Sequence, residues 1–68
     1  MKFVTVELNY SGKQYEYQTE LDLKVGGIYR LTTTGWNPPM RVRVVSISDV
    51  QNYPSVDTII SVEEAEEF

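Results

Sequence analysis

The chain contains no cysteine and no histidine. Disulfides therefore contribute nothing to its stability, and neither thiolate nor imidazole is present to ligate zinc. The missing imidazole also removes the usual general base. Ser11, Ser46, Ser48, Ser55 and Ser61 have no partner that would turn a hydroxyl into a nucleophile. No run of about 18 apolar residues occurs, and there is no apolar core of a signal peptide. The absence of cysteine fits a reducing compartment, so the expectation is a soluble, unexported, cytoplasmic chain without a membrane partner. No glycine-rich segment is followed by Lys-Ser or Lys-Thr, so "VGGIYR" (25–30) is not a phosphate-binding loop. Helical heptads, repeats and internal linkers are also missing.

At 68 residues the chain is one domain with a modest core. Its net charge of −4 is unevenly placed. Residues 1–62 hold six cations and six anions and are neutral, so the whole excess sits in the final "EEAEEF". The expected division is a single β-barrel domain at 1–62 and a solvated acidic tail at 63–68. Such a tail repels nucleic acid and membrane surfaces, and four glutamates are too few to imitate a DNA duplex.

The apolar pattern has a period of two almost throughout, which is the signature of half-buried strands. In "FVTVEL" (3–8), Val4, Val6 and Leu8 share one face. "YEYQTELDLKV" (15–25) is the longest alternation: Tyr15, Tyr17, Thr19, Leu21, Leu23 and Val25 on one face, with Glu16, Gln18, Glu20, Asp22 and Lys24 on the other. "IYRLTTT" (28–34) is rich in β-branched and aromatic residues. "MRVRVVSIS" (40–48) sets Val42, Val44 and Ser46 against Arg41, Arg43, Val45 and Ile47. "VDTIISV" (56–62) is the last strand. Turn residues separate these runs. The fold class expected is all-β, a small five- to six-stranded antiparallel barrel of the SH3-like or OB-like kind.

"GWNPP" (35–39) then falls in the loop of a hairpin between two strands. The paired prolines stiffen it, and Trp36 either caps the barrel mouth or stands out from it. Trp36, Pro38, Pro39 and Met40, with Tyr53 if the "QNYPS" loop converges on them, form the candidate protein-binding surface. Tryptophan and tyrosine bury large areas at little entropic cost. A hairpin centred near residue 37 places Arg30 close to Arg43, with Arg41 on the same face. These three guanidiniums either grip an anionic strand or pair with Glu16, Glu20 or Asp22 nearby. Glu20 and Asp22 read as solvated charges rather than an acid–base pair. No lysine sits in desolvating surroundings and no loop clusters oxygen donors for calcium. The expectation is a non-enzymatic chain without metal or cofactor.

"VTVEL…YEYQTELDLKVGGIYRL…RVRVVSIS…VDTIISVEE" resembles the N-terminal domain of the primosomal protein N′ family, the bacterial replication-restart helicases. It also resembles short free-standing proteins of tailed phages. The resemblance implies a small β-barrel that caps the 3′ end of a DNA strand, with Tyr15, Glu16 and Gly35 at the end-binding pocket. Two partner classes follow. One is a protein held by the Trp36 loop, in a module encoded by a phage or mobile element and working in a bacterial cytoplasm. The alternative is a single-stranded DNA 3′ end held by Tyr15, Glu16 and Gly35 with Arg30, Arg41 and Arg43.

Overall fold

The computed structural model describes residues 1–9, 11–35 and 40–67. The expected alternations become β1 (Lys2–Leu8), β2 (Gln14–Thr19), β3 (Ile28–Thr33), β4 (Met40–Ser48) and β5 (Asp57–Glu64). They close into one barrel in the order β1-β2-β5-β3-β4, with β4 returning to β1. The protein is all-β, and no helix occurs among the described residues. Every strand pairing is antiparallel except β2–β5, where Tyr17 and Gln18 run parallel to Asp57 and Thr58. The barrel is therefore mixed rather than wholly antiparallel.

Inward positions of the five strands fill the interior. Val4, Val6, Leu31, Val42 and Val44 are essentially inaccessible, and Leu8, Tyr17, Leu23, Tyr29 and Ile59 complete the core. Burying each aliphatic side chain contributes about 1.5–3 kcal/mol, the main stabilising term in a chain without cross-links.

Two bulges change the alternation. Between β1 and β4, Thr5 faces Ser46 while Val6 faces Val44, so Val45 is the extra residue. Between β3 and β5, Thr32 faces Ser61 while Thr33 faces Ile59, so Ile60 is extra. Each bulge turns a β-branched side chain to solvent. The first also exchanges the expected faces beyond it: Ser46 is exposed and Ile47, opposite Val4, packs on the core.

The long alternation 15–25 is not one strand, because β2 stops at Thr19. The buried Thr19 hydroxyl accepts from the Leu21 amide at 3.1 Å and donates to the Ile59 carbonyl at 3.2 Å. Capturing an amide two residues on turns the chain and ends the ladder. Segment 20–27 then crosses the end of the barrel, with Leu23 buried and Val25 exposed. Gly26 takes φ +86, a left-handed angle that other residues reach only with strain. Its amide donates to Val44 at 2.8 Å, and the Val44 amide donates back to Gly27 at 2.9 Å.

The acidic tail also differs from expectation. The β5 ladder continues past residue 62, with Glu63 opposite Arg30 and Glu64 opposite Tyr29. The Ala65 amide donates to Ile28 at 3.0 Å.

Candidate functional site at the barrel mouth

Five chain segments meet at one end of the barrel. These are the end of β1 at Leu8, the starts of β2, β4 and β5, and the chain leaving β3 toward Gly35. The end of β3 is tied to the start of β5 by two bonds. Thr34 donates its amide to Thr58 at 2.9 Å, and the Thr58 amide donates to Thr34 Oγ1 at 3.0 Å. Leu8, Tyr15, Glu16, Tyr17, Met40, Ser55, Val56 and Asp57 line a cleft of about 300 Å³ at this mouth.

The cleft has two chemical sides. Leu8, Tyr15, Met40 and Val56 offer apolar and aromatic surface, with Tyr15 45% exposed although its strand position aims it inward. Glu16 and Asp57 add two carboxylates. Asp57 lies against Gly35, where a Cβ would meet its carboxylate. A side chain at position 35 would have to displace that carboxylate, which is exposed and free to turn aside.

Glu16 occupies an outward position on β2, opposite Thr5, and solvent was its expected environment. It is instead only 9% exposed. The connection 49–56 crosses over it as a strap, and Asn52 donates its backbone amide at 3.1 Å and its side-chain amide at 2.9 Å to the two carboxylate oxygens. Both donors aim at a charged acceptor, the stronger class of hydrogen bond. Asn52 thereby pins the strap to β2, and Ser55 and Val56 further along it line the cleft.

Trp36, Pro38 and Pro39 lie outside the described residues. Their neighbours Gly35 and Met40 are both at the mouth, so the loop between them starts and ends there. Tyr53 is 58% exposed on the strap and is not among the residues lining the cleft. Tyr15, Glu16 and Met40 share the cleft, and Gly35 contacts it through Asp57.

The arginines form a separate outer wall. Arg30 stands opposite Arg41, not Arg43, because the β3–β4 register pairs Ile28 with Arg43. Arg43 meets Glu7 at 3.0 Å rather than a β2 or 20–22 carboxylate. Asp22 pairs instead with Lys2 Nζ at 2.5 Å, and the ammonium lowers the Asp22 pKa by hydrogen bond and by charge.

Four lining residues escape a reading by strands alone: Leu8, Ser55, Val56 and Asp57. Each lies at a strand end or in a connection, and their convergence depends on barrel closure. Among the described residues no group of three or more metal-ligating side chains gathers, and no helix is long and apolar enough to cross a membrane. Comparison of the chain with protein-family models, curated proteins and solved structures finds no match in any of the three.

Proposed function

We propose that the protein is a non-enzymatic interaction module, of phage or mobile-element origin, that takes a segment of a partner protein at the barrel mouth. The observation that carries this reading is the composition of the cleft. Tyr15, Met40 and Val56 give an adaptable apolar floor, the exposed Asp57 gives an acceptor beside it, and Glu16, held by Asn52, adds negative charge to the wall. Such a cleft fits a peptide side chain with an apolar stem and a donor head, and its negative charge opposes a phosphate. Gly35 and Met40, which flank the Trp36 segment, lie at this rim, and Trp36, Pro38 and Pro39 are included in the proposed contact on that ground.

The test is capture of the partner by variants that keep the fold. Tyr15→Ala, Met40→Ala and Trp36→Ala are expected each to abolish capture while the amide NMR spectrum stays dispersed. Capture unchanged in Tyr15→Ala and Met40→Ala would move the interface away from the mouth.

A second reading, binding of a single-strand 3′ end, is supported by one juxtaposition. Tyr15 and Glu16 share the cleft, and Gly35 abuts the Asp57 that lines it. Arg30, Arg41 and Arg43 do not line that cleft, so phosphate contacts there lack a cation. A short oligonucleotide with a free 3′ hydroxyl, titrated at low salt, separates the readings. Shifts at Tyr15 and Glu16 that a 3′ phosphate blocks would favour DNA.

A further inference from the structure

The seam that closes the barrel is incomplete at the mouth. β1 pairs with β2 as far as Gln14, whereas β5 pairs with β2 only at Tyr17 and Gln18. Among the described residues, no backbone hydrogen bond joins 14–16 to 55–56. The β1–β2 hairpin fixes where the free groups point. The Leu8 amide donates to the Lys13 carbonyl at 2.9 Å, which makes Leu8 and Lys13 a hydrogen-bonded pair. Bonded and non-bonded pairs alternate along an antiparallel ladder, so Val6 and Tyr15 are the next bonded pair. Gln14 and Glu16, on either side of Tyr15, therefore turn their amides and carbonyls away from β1. The β5 ladder begins beyond them, so Gln14 and the Glu16 amide have no strand beside them. The cleft lined by Tyr15, Glu16, Ser55 and Val56 opens at this edge. Its side chains are also unmatched: Tyr15 is exposed, and Asp57 is exposed with no ion-pair partner among the described residues.

We propose that the free edge of β2 takes up an extended peptide segment as an added strand, with a lysine or arginine of that segment entering the cleft. The proposal rests on the mouth reading given above and names the form of its partner. The edge presents backbone donors and acceptors in alternation, and another extended backbone is what matches them. Main-chain bonds then hold the segment, and the cleft selects one of its side chains. Tyr17 and Asp57 are partners in the parallel register, so Asp57 shares the inner face of Tyr15 and Tyr17. A partner residue beside Tyr15 on that face meets the apolar surface of Tyr15, Met40 and Val56, with the Asp57 carboxylate in the same cleft. Lysine or arginine fits both, laying its methylene stem on the apolar floor and its charge beside the carboxylate. An acidic segment meets the like charges of Asp57 and Glu16 and is disfavoured.

The probe is an acetylated and amidated pentapeptide with lysine at its centre and threonine elsewhere, titrated at low salt into the isotope-labelled full-length chain and followed by NMR. Shifts are expected at Tyr15 and Met40, with slowed exchange of the Gln14 and Glu16 amides. Two methylated forms of the peptide test the backbone, one N-methylated at the lysine and the other at the threonines on either side of it. A strand added along one edge bonds through alternate amides, so one form should lose binding about tenfold and the other should keep it. Gln14→Pro removes an outward amide and leaves the β1 ladder intact, and should also weaken binding about tenfold. Glutamate in place of the central lysine should weaken it about fivefold. Shifts at Tyr15 and Met40 with equal affinity for both methylated forms overturn strand addition and leave the mouth as the interface. Equal binding of the lysine and glutamate peptides overturns the cationic side chain. No shift at the mouth at millimolar peptide overturns this occupant, while partner capture by Tyr15→Ala and Met40→Ala decides the mouth reading separately. Should Gln14→Pro fail to fold, the methylated peptides on the wild-type chain settle the same question.

Discussion

Two stretches of chain cover the outside of the barrel, and they are held by opposite means. The strap 49–56 lies over β2 and is fixed where its Asn52 gives two donors to one nearly buried carboxylate. The acidic end 63–67 lies along β3 and β4 and is fixed past its ladder by one exposed guanidinium-to-carbonyl bond and one backbone bond. Both contacts carry charge. The difference is water. A shielded carboxylate has no cheap substitute for its protein donors, whereas an exposed arginine exchanges partners with solvent and salt at little cost. One covering is therefore held by a shielded contact, and the other, beyond the end of β5 at Glu64, by exposed ones.

The sharpest way to break this contrast is at Glu16. Glu16→Ala removes both acceptors for Asn52 and is expected to destabilise the domain by about 1.5–3 kcal/mol, the range for hydrogen bonds to a charged group. Urea unfolding gives the magnitude, and hydrogen exchange at the Asn52 amide shows whether the strap has lifted. Glu16→Gln keeps one acceptor and should lose about half as much. The loss should be nearly the same at low and high salt, because the contact is shielded. A loss below about 0.5 kcal/mol would mean the strap is held elsewhere.

Glu16 also shows where reading the sequence stops. Alternation assigned the strands well because each strand's inward face meets one core, and that requirement is local. It put Glu16 outward, which is correct for β2, and therefore in water, which is not. The covering strap comes from 36 residues further along the chain. Thr19 makes the same point. Its alternation continues into Leu21 and Leu23, yet its hydroxyl needs the Ile59 carbonyl, 40 residues away, to make the turn. The bulges at Val45 and Ile60 depend on partner register, which no single strand encodes. Among site residues, Tyr15, Glu16 and Met40 carried legible signals of aromatic, acid and loop edge. Their union with Leu8, Ser55, Val56 and Asp57 arises only from closing the barrel.

At the acidic end the expected effect is smaller and of a different kind. Arg41→Gln removes the bond to Glu67 and also relieves the opposition to Arg30. These two contributions offset, so stability should change by no more than about 0.5 kcal/mol in either direction. Any change should shrink as salt rises toward about 1 M, where the screening length falls to about 3 Å. Urea midpoints of wild type and variant, compared at both salt levels, check this. A loss as large as that of Glu16→Ala, insensitive to salt, would make the acidic end as integral as the strap.

The smallest effect is expected at a third crossing, segment 20–27, where Lys2 meets the fully exposed Asp22. Hydrogen bonding and charge from Lys2 favour the ionised carboxylate in the folded chain, so its folded pKa lies below the unfolded value. The folded state then binds the proton less readily than the unfolded state. The stabilisation is fully present above the unfolded pKa, about 3.9 for aspartate, and is lost as pH falls through the lower folded value. Asp22→Asn should therefore be slightly less stable than wild type at pH 7, and the two should converge in strong acid. Lys2→Met should reproduce that convergence, since it removes the same pair from the other side. Because water reaches Asp22 fully, salt should diminish the difference at pH 7 as it does for Arg41. A gap between wild type and Asp22→Asn that persists in acid would assign the aspartate a role that does not depend on its charge, such as ordering the turn after Thr19.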